Sequence, residues 1–260
     1  MTAPRFLDLP TRPAKPRRTG VTFVIDGGLA VDEVGALLTV NAGSVDVWKL
    51  GWGSAYLDHH LGEKLSVLKA NDVRSCPGGT LLEVATLQGV TDECLDWVQE
   101  AGFDCIEVSD GLDRLERETK AGLIRRAASR LTVIAEVGAK DPHAVMVPQR
   151  WVDLALADLD AGASWLITEG RESGTVGIYR PDGSVREDVV DALLDQVGPN
   201  RIVFEAPRRE QQAWFIRHCG TEVNLANVAP REVSGLEALR VGLRSDTTMT
   251  VLGQPVAVRP

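Results

Sequence analysis

From Gly20 onward the chain repeats one pattern: a short apolar run, a polar or glycine-rich junction, then a stretch whose apolar positions recur with helical spacing. The apolar runs are VTFVID (21–26), VDVWKLG (45–51), VRSCPGG (73–79), CIEVSD (105–110), TVIAEVG (132–138), WLITEG (165–170), RIVFEAP (201–207) and EVNLANV (222–228). Near-continuous apolar strands are what a parallel sheet requires when helices cover its outer face. Between the runs, Val152, Ala155, Leu156 and Leu159 share one helical face, and Val189, Val190, Leu193, Leu194 and Val197 share another. Leu236, Leu239 and Leu243 mark a last helix. Thr91 fits an N-cap, and Gly102 and Gly162 stand where left-handed helix ends are expected. Eight alternating units predict an α/β protein, a single (β/α)8 TIM barrel over residues 20–244. The other arrangement open to such a pattern, a doubly wound sheet, lacks its GxGxxG after the first strand.

The two ends break the pattern. Residues 1–19 hold four prolines and five basic residues against one acid, Asp8, and read as an irregular N-terminal arm. Residues 245–260 read as a C-terminal tail.

Composition narrows the partners. With 44% hydrophobic residues the chain can bury a full-sized core, and its net charge of -9 argues against nucleic acid and membrane surfaces, which reward a basic excess. No apolar run approaches the roughly 18 residues of a membrane span. Cys76, Cys94, Cys105 and Cys219 form no CxxC pair, so they are expected to be reduced thiols in a cytoplasmic protein. An anionic substrate would have to be held by a local cluster of cations.

In a barrel of this kind the chemistry sits at the C-terminal ends of the strands. The runs end in Asp26; Lys49 with Gly51, Trp52 and Gly53; Gly78, Gly79 and Thr80 with nearby Glu83; Glu107, Ser109 and Asp110; Glu136, Gly138 and Lys140; Glu169, Arg171, Glu172 and Ser173; Glu205; and Asn224 with Asn227. Carboxylates converging on one mouth repel unless a hard cation such as Mg2+, or a web of Lys and Arg, offsets them. Lys49, Lys140 and Arg171 are the candidate anion holders, while Gly78, Gly79, Gly170 and Gly174 can offer backbone N–H groups to an oxyanion. Zinc and serine chemistry find no support. His59 and His60 are adjacent, His143 and His218 are isolated, and Ser173 stands in ESG rather than GxSxG. The six tryptophans are scattered and read as core or rim packing.

Taken in order, GVTFVIDGGL, VWKLGWG, PGGTLLE, IEVSDG, EVGAK, TEGRESG, VFEAP with QQAWFI, VNLAN and LEALRVGLRSDT resemble the phosphosulfolactate synthase family over roughly Gly20 to Thr247. The resemblance implies a barrel enzyme, a carbon-sulfur lyase of coenzyme M biosynthesis, that adds sulfite to phosphoenolpyruvate in a Mg2+-dependent step to give (2R)-phospho-3-sulfolactate. It implies a catalytic set of Lys140 as proton donor with Arg171 and Lys49 gripping anionic groups. Glu107, Glu136, Glu169 and Glu205 become metal-ligand candidates. Asp26, Gly78, Gly79, Ser173, Gly174, Asn224 and Asn227 become substrate-binding candidates, and a homo-oligomer is expected. Two departures stand out: where the family's first block reads DKG this chain has Asp26-Gly27-Gly28, and the first lysine of EVGKK is Ala139. The loss of two cations leaves two alternatives beside sulfite addition: a related barrel enzyme using a different nucleophile, or a non-catalytic stress-associated relative.

Overall fold

In the computed structural model, residues 6–110, 115–138, 147–171 and 173–253 are described. Among them are eight strands: β1 (Thr22–Asp26), β2 (Val47–Leu50), β3 (Arg74–Pro77), β4 (Cys105–Val108), β5 (Thr132–Val137), β6 (Trp165–Thr168), β7 (Ile202–Glu205) and β8 (Leu225–Val228). They pair in parallel in the order β3-β2-β1-β8-β7-β6-β5-β4, with helices alternating between them, which is the expected (β/α)8 barrel.

The barrel is closed at the seam between β3 and β4 largely by side chains. At the strand starts, the Asp104 amide donates to the Ser75 carbonyl at 3.2 Å, and the Asp104 carboxylate accepts from the Ser75 amide at 2.8 Å and hydroxyl at 3.0 Å. At the strand ends, the Gly79 amide donates to Glu107 Oε1 at 3.0 Å. A carboxylate can bridge backbones that have drifted too far apart for a full ladder, so each end of the seam keeps its polar groups satisfied.

The strict alternation of a strand fixes which tips face the lumen. Phe23, Val47, Cys76, Cys105, Ile134, Ile167, Val203 and Ala226 share one buried interior cluster, whereas Val24, Trp48, Ile106, Val133, Ala135, Leu166, Phe204 and Leu225 belong to the core beneath the helices. Lys49, Glu107, Glu136, Glu169 and Glu205 each follow an interior residue by two positions. All five therefore point into the barrel. Asp26 follows by one position Ile25, which lines the mouth, so it turns outward.

Several expectations need correction. Helix Pro148–Asp160 buries Val152 and Ala155, but Leu156 is 40% exposed. The last barrel helix ends at Arg240, leaving Leu243 beyond it and 54% exposed. The stretch read as a tail contains a further helix, Ser245–Leu252, whose Thr247 hydroxyl donates to the Leu239 carbonyl at 2.6 Å. Thr91 is the first residue of its helix, with Val90 at the cap, while Gly102 does adopt the left-handed conformation (φ 89°). The arm has no regular structure in residues 6–20, yet it is pinned beneath the barrel. Arg17 pairs with Asp46 (Nη2 to Oδ2 2.9 Å), and Arg12 bridges Glu222 at 2.9 Å and Glu237 at 2.7 Å.

Candidate active site at the barrel mouth

The inward tips meet in a cavity of about 480 Å3 at the C-terminal end of the strands. Its lining includes Lys49, Gly78, Gly79, Glu107, Glu136, Glu169, Arg171, Ser173, Glu205 and Asn227, together with Ile25, Gly51, Trp52 and Thr80. Ten of the sequence-derived candidates are thus brought together. Lys140, the expected proton donor, lies outside the described residues, as do Ala139 and Glu172.

Three candidates are elsewhere, each for a local reason. Asp26, facing outward, accepts hydrogen bonds from the Gly28 and Leu29 amides (both 2.7 Å) and from Trp48 Nε1 (3.0 Å), with Lys64 Nζ 3.7 Å away. It fastens β1 to the helix Leu61–Ala70 rather than facing a substrate. Asn224 precedes β8 at the opposite end of the barrel. Its Oδ1 accepts from the Val21 amide at 3.1 Å, and its Nδ2 donates to the Pro199 and Ile202 carbonyls at 2.8 and 3.1 Å. Gly174 stands just outside the lining, and its carbonyl accepts from Gln211 Nε2 at 2.8 Å.

Charge is concentrated where water is scarce. Lys49 Nζ lies 2.8 Å from Glu107 Oε2 and 3.8 Å from Glu205 Oε1, and all three side chains are buried. Burial alone would push the Lys49 ammonium down, but Glu107 and Glu205 outweigh it and hold its pKa above the ordinary lysine value. Lys49 is therefore a fixed positive charge, unsuited to giving up its proton. Glu205 is pushed up to about 8, first by burial and then by Glu169 and Glu107, against the pull of Lys49 and the Gly170 amide, which donates to its Oε2 at 2.8 Å. Folding thus raises the Glu205 pKa. The stability this gives is complete below the unfolded carboxyl value near 4.5 and is lost as pH rises to about 8. Glu205→Gln cannot titrate, so its melting temperature, compared with wild type by calorimetry, is expected to gain on wild type across that window. A constant difference between pH 4.5 and 8 would show that Glu205 titrates normally.

The mouth also stores backbone strain. Among the described residues, four non-glycine positions have positive φ, and three of them line this cavity: Trp52 (52°), Arg171 (51°) and Asn227 (54°). Such conformations persist where the surroundings over-determine them, and they concentrate at ligand sites. Asn227 donates its Nδ2 to Glu205, while its buried Oδ1 has no hydrogen-bond partner among the described residues. The Arg171 amide caps Glu169 Oε1 at 2.7 Å, and its exposed guanidinium makes no ion pair among the described residues. Tyr179 donates its hydroxyl to the Glu205 carbonyl and packs under Gly170, where an added Cβ would lie 2.8 Å from Tyr179 Cε2.

Two lining features add detail to the strand-tip pattern. Trp52 packs at the rim, and its half-exposed indole lies across Gly27, where a Cβ would stand 2.2 Å from Trp52 Cζ3. The space above the position where the first family block has lysine is taken by an aromatic ring. The sequence signal was GWG itself, an aromatic between two glycines. The second feature is the helix Gly79–Leu87, whose first turn opens onto the cavity through Gly78, Gly79 and Thr80 and supplies the positive end of a helix dipole.

The donor set suits a hard cation. Glu136 and Glu169 line the cavity beside the unpartnered Asn227 Oδ1, and Mg2+ takes one or two carboxylates while keeping several waters. Among the described residues, the one group of three metal-capable side chains with ligand atoms within 4.8 Å of one another is the exposed Glu187, Asp191 and His218 on the outer helices. Among the described residues the mouth thus brings no three such ligand atoms that close together, and Mg2+, which keeps several waters, does not require it.

A parallel (β/α)8 barrel whose mouth combines an acid-rich polar lining, a buried lysine, an exposed arginine and a helix N-terminus has the build of an enzyme. The family model described as (2R)-phospho-3-sulfolactate synthase (ComA) matches residues 10–246. The phosphosulfolactate synthase of Methanothermobacter thermautotrophicus is 40% identical over 92% of this chain and 95% of its own length. That of Bacillus subtilis is 37% identical over 93% and 97%, and that of Methanocaldococcus jannaschii is 41% identical over 88% and 93%. The chain belongs to the phosphosulfolactate synthase family. Among solved structures, 3-hexulose-6-phosphate synthase (TM-score 0.55, 18% identity, 85% of this chain and 98% of that one) shares the fold. So does phosphonopyruvate hydrolase bound to oxalate and Mg2+ (TM-score 0.53, 12% identity, 85% of this chain and 79% of that one). No helix among the described residues is long and apolar enough to cross a membrane.

Proposed function

We propose that this chain is a Mg2+-dependent carbon-sulfur lyase that adds sulfite to phosphoenolpyruvate to give (2R)-phospho-3-sulfolactate. The observation that carries the reading is the convergence of Lys49, Arg171, the first turn of the helix Gly79–Leu87 and four glutamates on one cavity in a member of this family. In the reaction the sulfur lone pair forms a bond to the methylene carbon, the double-bond electrons move toward the carboxylate, and a proton arrives at C2 on one face. Lys49, fixed in its charged state by Glu107 and Glu205, lowers the cost of negative charge growing on the carboxylate. Arg171, with no carboxylate partner among the described residues, grips an oxyanion, and the Thr80 amide in the first helical turn suits the phosphate. The acid in this reading is Lys140, which matches the second lysine of the family's EVGKK block, while Lys49 holds its own proton too tightly to release it. When bound by Glu136 and Glu169, Mg2+ supplies further charge neutralisation at the substrate carboxylate. The same reading includes a cytoplasmic homo-oligomer.

Mixing purified protein with phosphoenolpyruvate, sulfite and Mg2+ is expected to consume the enol absorbance and to yield a phosphorylated sulfonate detectable by mass spectrometry. Unchanged absorbance with folded protein overturns the proposal. A second reading rests on Gly27 and the indole that covers it, because a cation lost at the mouth weakens the hold on a small dianion. It places another nucleophile in the role of sulfite. A screen of nucleophiles against phosphoenolpyruvate separates the two, since the second reading requires sulfite to be inert and another nucleophile to react.

A further inference from the structure

At the opposite end of the barrel lies a second cavity, of about 600 Å3, formed by the arm and the starts of the strands. Its lining is Pro16, Arg17, Arg18, Arg74, Thr132, Ala163, Ser164, Trp165, Asn200 and Arg201, which holds four arginines and no acid. In a chain of net charge -9 that local balance is unusual. Arg17 is neutralised by Asp46, whose carboxylate also accepts the Thr22 amide at 2.8 Å. The guanidiniums of Arg18, Arg74 and Arg201 have no ion pair or hydrogen bond to any described residue. Asp104, across the seam from Arg74, is engaged by the amide and hydroxyl of Ser75, the residue that follows Arg74. The nearby Lys15 ammonium donates to the Ala42 carbonyl at 3.0 Å, and its pKa is lowered first by burial and further by Arg17 and Arg74, against the pull of Asp46 and Asp72.

Like charges gathered in one concavity repel each other, and the repulsion is relieved when an anion enters. The guanidinium fork matches phosphate and sulfonate oxygens two at a time, and the Thr132 and Ser164 hydroxyls and the Asn200 amide add neutral donors to the same cavity. Trp165 closes the floor, since it belongs to the apolar interior of the barrel and blocks passage to the other mouth. We propose that this cavity is a second ligand site, specific for a small, multiply charged oxyanion bearing phosphate or sulfonate, and separate from the site of chemistry. Position supports a binding rather than a chemical role, because the N-terminal face of such barrels serves stability while reactions occupy the C-terminal face. An anion bound there joins the arm (Arg18) to the starts of β3 (Arg74) and β7 (Arg201), so it ties the arm to the barrel. The inference does not depend on the reaction proposed above.

The test is isothermal titration of the full chain with inorganic pyrophosphate, without Mg2+ and at ionic strength held constant with chloride. Three proteins are compared: wild type, Arg74→Gln/Arg201→Gln, and Arg171→Gln as a control for the other mouth. Wild type is expected to bind, the double variant to bind at least tenfold more weakly, and Arg171→Gln to retain the site. If the double variant fails to fold, Arg201→Gln alone, at an exposed position, is expected to weaken binding at least threefold. Absence of binding, binding unchanged in the Arg74 and Arg201 variants, or binding abolished by Arg171→Gln alone overturns the proposal. Retention of long polyanions such as RNA with no affinity for pyrophosphate also overturns it.

Discussion

Lys49→Met is expected to lower kcat/KM by about 10³-fold while leaving the barrel folded. Methionine keeps the length and apolar stem of lysine, so the interior beneath it, Val47 and Cys76, stays filled. What disappears is the positive charge between Glu107 and Glu205, at 2.8 and 3.8 Å. Without it, the buried Glu107 and Glu205 side chains keep, among the described residues, the Gly79 and Gly170 amides and the Asn227 side chain as partners but no cation. An anionic substrate then meets a mouth that has lost its buried cation. Steady-state kinetics with circular dichroism on the same preparation checks this, with Lys49→Arg expected to recover part of the activity because charge is retained. A Lys49→Met protein within tenfold of wild type would mean that the lysine serves packing alone.

The second large effect concerns stability at the other end of the molecule. Asp46→Ala is expected to cost about 3–5 kcal/mol and to lower the melting temperature by roughly 10 °C. The Asp46 carboxylate accepts from Arg17 Nε at 3.0 Å, from Arg17 Nη2 at 2.9 Å and from the Thr22 amide at 2.8 Å, and both charged side chains are buried. Its removal leaves the largely buried Arg17 guanidinium, among the described residues, with the Pro13 and Gly43 carbonyls and no counter-charge. Replacing both partners with apolar residues, Arg17→Met/Asp46→Leu, is expected to recover most of the loss, since neither charge then remains to be compensated. Thermal melts of the two variants decide the matter: equal losses would show that the pair contributes geometry rather than charge compensation.

Much of the barrel and part of the mouth could be read from residue order. The eight apolar runs gave the strands because both faces of each are buried, and Lys49, Glu107, Glu136, Glu169 and Glu205 share a cavity because each stands two positions beyond an interior residue. The same parity turns Asp26 outward, and counting from Ile25 would have shown it. Asn224 departs from the pattern for a different reason. The run 222–228 does not begin its strand until Leu225, so Asn224 lies at the strand's root. The placement of Trp52 over Gly27 depends on a left-handed turn that no local composition specifies uniquely. The basic cavity was invisible in sequence because Arg18, Arg74 and Arg201 come from distant segments and only the closed ring of strands brings them together.

The contact between Gly27 and Trp52 governs what substitution at the mouth can achieve. A side chain at position 27 begins with a Cβ only 2.2 Å from the indole, so a lysine there evicts the ring from its resting place. Side chains at positions 27 and 52 thus compete for one space at the barrel mouth, so Gly27→Lys regains a charge there only as the indole moves aside.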